Sequence, residues 1–296
     1  MKKLASFLLL LVFAVSVLTA CGAPAATDAS NPGVAFDTSK EIVVVSREEG
    51  SGTRGAFIEL FGIEVKNDDG SKTDMTTKEA IITNQTNVMM TTVAGNEYAI
   101  GYVSLGSLND TVKALQIDGV VPSAENVKNG SYAIARPFNI VTGDSVSELA
   151  QDFMDFILSA EGQAVVATGY IAVDDGAAPY AGSKPAGKIV VAGSSSVTPI
   201  MEKLKEAYIA VNPDATIEIQ QSDSSAGING AIDGTCDIGM ASRDLKDSEL
   251  ESLTSTQIAL DGIAVIVNNG NPLAGLTKEQ VRAIFTGELL VWSEVA

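Results

Sequence analysis

Stretches with strand character and stretches with helical spacing alternate from about residue 41 to residue 285, and few architectures accept that rhythm. Residues 41–46 (EIVVVS) read as a strand, followed by a Gly/Ser turn and a helix over about 53–61. Residues 98–103 and 113–117 read as short strands. Residues 132–141 read as an extended stretch in which Pro137 argues for an edge or a crossover. Residues 147–168 carry helical spacing, with Leu149, Phe153, Phe156, Ile157 and Leu158 on one broad face. Residues 174–187 (DDGAAPYAGSKPAG) break the pattern and read as a linker. Beyond it, strands at 188–192, 216–220, 236–240 and 263–267 alternate with helices at 197–210, 226–233 and 277–285. The expected fold is α/β, with mixed sheets flanked by helices. Apolar residues at 46% with only 5% aromatics suit cores built from Ala, Val and Ile.

The first forty residues have a different character. Lys2 and Lys3 precede an apolar run over 8–17, and Leu18-Thr19-Ala20-Cys21 follows directly. The run is short for a membrane span, so residues 1–20 are expected to be a signal peptide, with Cys21 carrying a lipid after cleavage. Residues 21–40 are poor in apolar side chains and read as a flexible tether. The expected location is the cell surface, lipid-anchored to the outer face of the cytoplasmic membrane. Cys236 is the only other cysteine, so no intrachain disulfide is expected.

Charge and composition narrow the chemistry. The formal charge of −18 repels nucleic acid and anionic headgroups, so any anion must be attracted locally. The chain has no histidine, which removes the Ser-His-Asp triad, the Cys-His pair and every His-based metal site. No cofactor is implied.

Three serine-containing turns share one design. Gly193-Ser194-Ser195-Ser196, Ser222-Asp223-Ser224-Ser225 and Gly50-Ser51-Gly52-Thr53 each lead from a strand into a helix. Each brings backbone N–H groups, hydroxyl donors and a positive helix end to one point, a combination suited to a tetrahedral oxyanion. Taken singly, such a serine is most often only a helix cap. Three of them at strand carboxyl ends, where open α/β sheets bind ligands, carry more weight. Arg47, three residues before Gly50, adds a guanidinium fork, with Glu48 or Glu49 available to hold it. GSGTRG lacks the Walker A spacing, and Glu49 stands where a nucleophile elbow needs its first glycine, so an enzyme is not expected.

The segments SREEGSGTRGAF, AIGYVSLGSL, FILSAEGQAVV, VAGSSSVTPIMEKL, QSDSSAGI, CDIGMASRDL and IFTGELLVWSEV together resemble the phosphate-binding lipoproteins (PstS-type) of phosphate ABC transporters. The resemblance spans nearly all of residues 40–296, but in an unusual order. In the family the part resembling 188–295 ordinarily precedes the part resembling 41–173. The chain therefore looks like a circular permutant whose linker at 174–187 joins the family's two ends, the other reading being a rearranged gene product assembled from two incomplete copies.

The resemblance implies a two-lobed type 2 periplasmic-binding-protein fold. Lobe A would comprise 41–130 plus 261–296 and lobe B 131–260, with crossovers near 132–138 and 260–265 and hinge closure around the ligand. It implies Ser195, Ser196 and Ser224 as ligand donors from one lobe. Arg47, Ser51, Gly52 and Thr53 would donate from the other, with Glu49 restraining Arg47. Where the family places an acceptor aspartate, this chain has Ser242 or Arg243, which with Ser225 are further candidates. Asp223 and Asp237 are possible substitutes for the acceptor. The implied partners are inorganic phosphate and an ABC permease, met as a monomer. A surface oxyanion sensor or adhesin of the same fold is the alternative, and a phosphatase-like enzyme a more distant one.

Overall fold

The computed structural model describes residues 35–68 and 71–295. The expected signal peptide, the lipidated Cys21 and the tether up to residue 34 lie outside the described residues. The stretch read as tether through residue 40 already belongs to the fold from Phe36, whose ring packs on Tyr98 and Trp292.

The first half of the chain runs β1 (Val43–Arg47), α1 (Gly52–Leu60), the hairpin of β2 (Glu64–Lys66) and β3 (Lys72–Asp74), β4 (Ile81–Thr83) and α2 (Thr86–Ala94). It continues through β5 (Ala99–Ser104), β6 (Lys113–Ala114), β7 (Gln116–Ile117), α3 (Ala124–Lys128) and β8 (Ala135–Thr142). Then come α4 (Glu148–Leu158), α5 (Ala160–Val166) and β9 (Ile171–Ala172). After the linker follow β10 (Gly187–Ser194), α6 (Thr198–Val211), β11 (Ala215–Ser222), α7 (Ser224–Asp233) and β12 (Ile238–Ala241). The chain closes with α8 (Asp247–Leu250), β13 (Thr254–Val267), β14 (Gly275–Leu276) and α9 (Lys278–Thr286).

The main sheet has the order β11-β10-β12-β8-β13-β5-β1-β4. At one end β10 lies parallel to β11 and β12, and at the other β1 lies parallel to β4 and β5. Antiparallel β8 and β13 join these triplets. β13 spans both halves: Thr254–Gly262 pairs with β8, and Ile263–Val267 pairs with β5. Among the described residues four buried apolar clusters follow, two of them large. One gathers Phe57, Tyr102, Ile263, Phe285 and Trp292, with the Phe57 and Tyr102 rings stacked at 3.9 Å. The other gathers Phe138, Phe153, Tyr208, Ile238 and Ile258.

Pro137 sits opposite Leu260 of β13, whereas β12 reaches β8 only at Asn139–Val141. Its missing N–H therefore falls where the strand has one neighbour, as a proline requires.

Two expectations need correction. The segment 147–168 is two helices rather than one, broken at Ser159, whose hydroxyl donates to the Phe156 carbonyl and accepts from Gly162 N–H. The chain turns so tightly there that a Cβ on Gly162 would lie 2.1 Å from the Phe156 carbonyl oxygen. The apolar face continues through the break, so spacing alone concealed it. The strand expected at 263–267 begins at Thr254, because its first half runs along β8 with the polar Asp261 buried inside it.

The linker 174–187 has no regular structure for most of its length, yet it is pinned. Asp152 of α4 accepts from the hydroxyls of Tyr180 (2.5 Å) and Tyr208 (2.6 Å) and from the backbone N–H of Ser183 (2.8 Å). Burial opposes ionisation of Asp152, but these donors outweigh it and hold its pKa below the ordinary 3.8. A carboxylate depressed in this way adds stability above the unfolded pKa, and the contribution disappears as the pH falls through the folded value. Asp152→Asn should therefore cost about 2 kcal/mol at pH 7, the scale of hydrogen bonds to a charged group. Urea unfolding at stepped pH should show the gap from wild type closing below pH 3.8. A gap independent of pH would contradict this account.

Candidate functional site

The parallel strands of both triplets deliver their carboxyl ends to one place. β1 ends at Arg47, β10 at Ser194 and β12 at Ala241, and the turns that follow meet between the two halves. The local backbone explains why these residues make turns. Gly193 has φ +131°, and a Cβ there would sit 2.5 Å from the Met240 carbonyl oxygen, so only glycine lets β10 approach β12 this closely. Ser51 caps α1 by accepting from Arg54 N–H, and Asp223 caps α7 by accepting from Ala226 N–H.

The result is a buried cluster of hydroxyls and guanidinium groups from distant parts of the sequence. Arg47 is 3% exposed, and its Nη2 donates to Ser195 Oγ at 3.1 Å. Thr53 Oγ1 lies 2.8 Å from Ser196 Oγ and 3.5 Å from Ser242 Oγ. Ser224 Oγ accepts from the Ser242 backbone N–H at 3.0 Å, and Ser194 Oγ donates to Ser242 Oγ at 2.9 Å. The turn around Gly50 also touches the opposite half directly, since Ser225 N–H donates to the Gly50 carbonyl at 3.2 Å. The backbone N–H groups of Gly52, Thr53 and Ser224, each at the start of a helix, have no partner among the described residues. Those of Ser51 and Ser195 are committed, to the carbonyls of Glu48 and Ser222.

Arg47, Gly52, Thr53, Ser195, Ser196, Ser224 and Ser242 thus all lie in or against one cluster, while the Ser51 hydroxyl is engaged as the cap of α1. Ser225 and Arg243 stand at its margin: Arg243 makes a two-pronged ion pair with Glu249 and only grazes Ser225 Oγ at 3.5 Å. The residue expected to restrain Arg47 is corrected. Glu48, not Glu49, holds the guanidinium, with Oε2 2.8 Å from Nε and Oε1 2.7 Å from Nη2, whereas Glu49 is exposed. Glu48 lies just past the end of β1, so its carboxylate folds back along its neighbour's side chain. Of the possible acceptors, Asp223 abuts Gly50, and Asp237 accepts from Val190 N–H at the surface.

Three members of the cluster escaped the sequence reading. Ser194 belongs to the first serine turn, yet only its neighbours Ser195 and Ser196 stand among the expected donors. Thr86 opens α2, and its hydroxyl lies 3.2 Å from Ser195 Oγ and 3.3 Å from Ser196 Oγ. The signal existed, since Thr83-Asn84-Gln85-Thr86 repeats the strand-to-polar-turn-to-helix design. Arg136 of β8, 3% exposed, reaches Thr53 Oγ1 at 3.1 Å and pairs with Asp261 at 2.5 Å. Burial pushes the Asp261 carboxyl up and the Arg136 guanidinium down, and each charge opposes the other's shift. A guanidinium does not lose its proton in a protein, and its charge at 2.5 Å opposes the burial that pushes the Asp261 carboxyl up.

Chemically the cluster is an array of hydroxyls with two guanidinium groups and, among the described residues, no carboxylate hydrogen-bonded to those hydroxyls. Such an array fits a small tetrahedral oxyanion. Among the described residues no group of three His, Cys, Asp or Glu is placed to hold a metal ion. Beside the cluster lies an open cleft of about 790 Å³, bordered by Gly55, Arg136, Pro137, Arg243 and Lys246.

The PBP superfamily domain matches residues 34–161 and 178–296. The Phosphate-binding protein PstS 2 of Streptococcus agalactiae serotype V is 56% identical over 258 residues, covering 86% of this chain and 88% of that protein. The Phosphate-binding protein PstS 2 of Streptococcus pneumoniae serotype 4 is 46% identical over 279 residues, 94% of each chain. The crystal structure of a phosphate-binding protein of a phosphate ABC transporter from S. pneumoniae TIGR4 superposes with a TM-score of 0.69 at 47% identity. It covers 86% of this chain and 100% of that one.

Proposed function

The chain belongs to the PstS-type phosphate-binding proteins of phosphate ABC transporters, and we propose that it captures inorganic phosphate in the buried hydroxyl cluster and delivers it to an ABC permease. It is a substrate-binding protein and not an enzyme. The observation that carries the reading is Arg47, a guanidinium 3% exposed that bridges from the end of β1 to Ser195 after β10, with hydroxyl donors from both halves around it. Phosphate brings four oxygens to such an array, and the helix starts at Gly52 and Ser224 add dipoles aimed at the same point.

Capture is read as closure of two lobes, 41–130 plus 261–296 against 131–260, about the crossing of β8 and β13. Ser195, Ser196 and Ser224 then donate from one lobe and Arg47, Ser51, Gly52 and Thr53 from the other. Ser242 takes the place of the family's acceptor aspartate. A hydroxyl there accepts the proton of hydrogen phosphate less strongly than a carboxylate, so rejection of sulfate is expected to be weak.

We also read the chain order as native and permuted. Backbone pairing is compatible with this: Ser293 N–H donates to the Thr38 carbonyl, and Ile42 N–H to that of Leu290, so residues 38–42 lie against 290–293. The pinned linker at 174–187 supplies the new connection. Identity over 94% of the S. pneumoniae relative supports an order shared with it rather than a chance rearrangement. Lipid attachment at Cys21, at the outer face of the cytoplasmic membrane, is supported by the sequence around that residue. Among the described residues no helix is long and apolar enough to cross a membrane.

Titration calorimetry of the signal-free protein with phosphate, arsenate and sulfate tests the capture. Binding of phosphate is expected, with sulfate competing measurably. No heat with phosphate would remove the proposal. Failure of the phosphate-loaded protein to stimulate its reconstituted permease would remove the delivery step alone.

A further inference from the structure

Arg136 stands outside the three serine turns, yet its guanidinium reaches Thr53 in one of them. Its Nη1 is held by Asp261 Oδ2, and Asp261 Oδ1 is itself fixed by the Gly106 N–H at 3.1 Å. Its Nε donates to the Ser242 carbonyl at 3.1 Å, and Nη1 also faces the Gly262 carbonyl at 3.2 Å. The guanidinium is therefore locked where β8 and β13 cross, with Nη2 aimed at Thr53 Oγ1 (3.1 Å).

A guanidinium only donates, so Thr53 Oγ1 must accept from it. The hydroxyl then has one proton left, and that proton points away from Arg136, toward the centre where Ser196 and Ser242 stand. Without Arg136, Thr53 is free to turn its proton toward the Ser242 hydroxyl and present a lone pair to an incoming anion.

We propose that Arg136, anchored by Asp261 at the strand crossing, is a positioning residue that compels Thr53 to donate to the bound anion. The proposal rests on the reading of the cluster as the phosphate site. It also assigns a purpose to a buried ion pair that the serine turns do not explain.

A cycle of variants tests it by phosphate calorimetry. Arg136→Leu combined with Asp261→Leu removes both charges, a change a fold often tolerates because neither ion is left unpaired. That variant and Thr53→Val are each expected to weaken phosphate binding roughly 30-fold, the scale of one charge-assisted hydrogen bond. Because both act on one donated proton, all three changes together should also cost roughly 30-fold rather than the product of the two losses. If the leucine pair fails to melt cooperatively, Arg136→Lys keeps the charge beside Asp261 without the fork, and the same non-additivity with Thr53→Val is expected. Losses that multiply, or an unchanged affinity without Arg136, would overturn the proposal while leaving phosphate capture intact. A wild-type protein that binds no phosphate would overturn both, and the wild-type arm separates the two cases.

Discussion

Replacing Arg47 by alanine should weaken phosphate binding by about 3–5 kcal/mol, the usual cost of removing one partner of a buried charged contact. That corresponds to roughly 100- to 5,000-fold in the dissociation constant. The loss has two sources. The anion loses its nearest cation, and Glu48, which now lies against the guanidinium at 2.7 Å, is left facing the site with its charge uncompensated. Arg47→Lys should recover little, because one ammonium cannot meet both carboxylate oxygens of Glu48 and also Ser195. Calorimetry on the two variants checks the pair of expectations. A dissociation constant equal to wild type in Arg47→Ala would place the anion elsewhere.

Gly52→Ala should separate folding from binding. Gly52 is the first residue of α1, where alanine costs the helix nothing. A Cβ at this position, however, would lie 2.4 Å from Ser224 Oγ, 2.8 Å from Ser242 Oγ and 3.0 Å from the Ser242 carbonyl carbon. The Ser224 hydroxyl can rotate aside, but the Ser242 backbone cannot. The methyl group therefore holds the two halves apart at the point where the proposed closure brings them together around the ligand. Overpacking of this kind costs up to about 3 kcal/mol, so phosphate affinity should fall by about 100-fold. The melting temperature without phosphate should stay within a few degrees of wild type, and the phosphate-dependent rise should shrink in step with the lost affinity. A wild-type rise in Gly52→Ala would show that closure does not bring Gly52 against Ser224 and Ser242.

The turns were legible in the sequence because their signal is local. Glycine and serine between a β-branched run and a helical run report a strand end, a cap and a bend together, as at residues 50–53 and 193–196. Arg136 was not legible for the opposite reason. It stands inside a strand, in the sequence Ala135-Arg136-Pro137-Phe138, and becomes part of the site only when Asp261, 125 residues away, and Thr53, 83 residues away, are folded against it. Pro137 marked the crossover but carried no information about its neighbour's partner. Asp261 obscured β13 in the same way, since a carboxylate in a strand reads as exposed until its guanidinium is found. The choice between Glu48 and Glu49 depended on how a side chain folds back past the end of β1, which composition does not encode. Thr86 was within reach, and the shared design of its turn went unread because it contains no glycine and only one serine-like residue at the helix start.

The most direct test of phosphate capture in the hydroxyl cluster is the crystal structure of the protein with phosphate. The anion is expected between the two halves, its oxygens within hydrogen-bond distance of the Arg47 guanidinium, the Thr53 and Ser195 hydroxyls and the backbone N–H groups of Gly52 and Thr53. Phosphate bound instead in the neighbouring cleft beside Arg243 and Lys246, with the serine and threonine hydroxyls still bonded to one another, would contradict it.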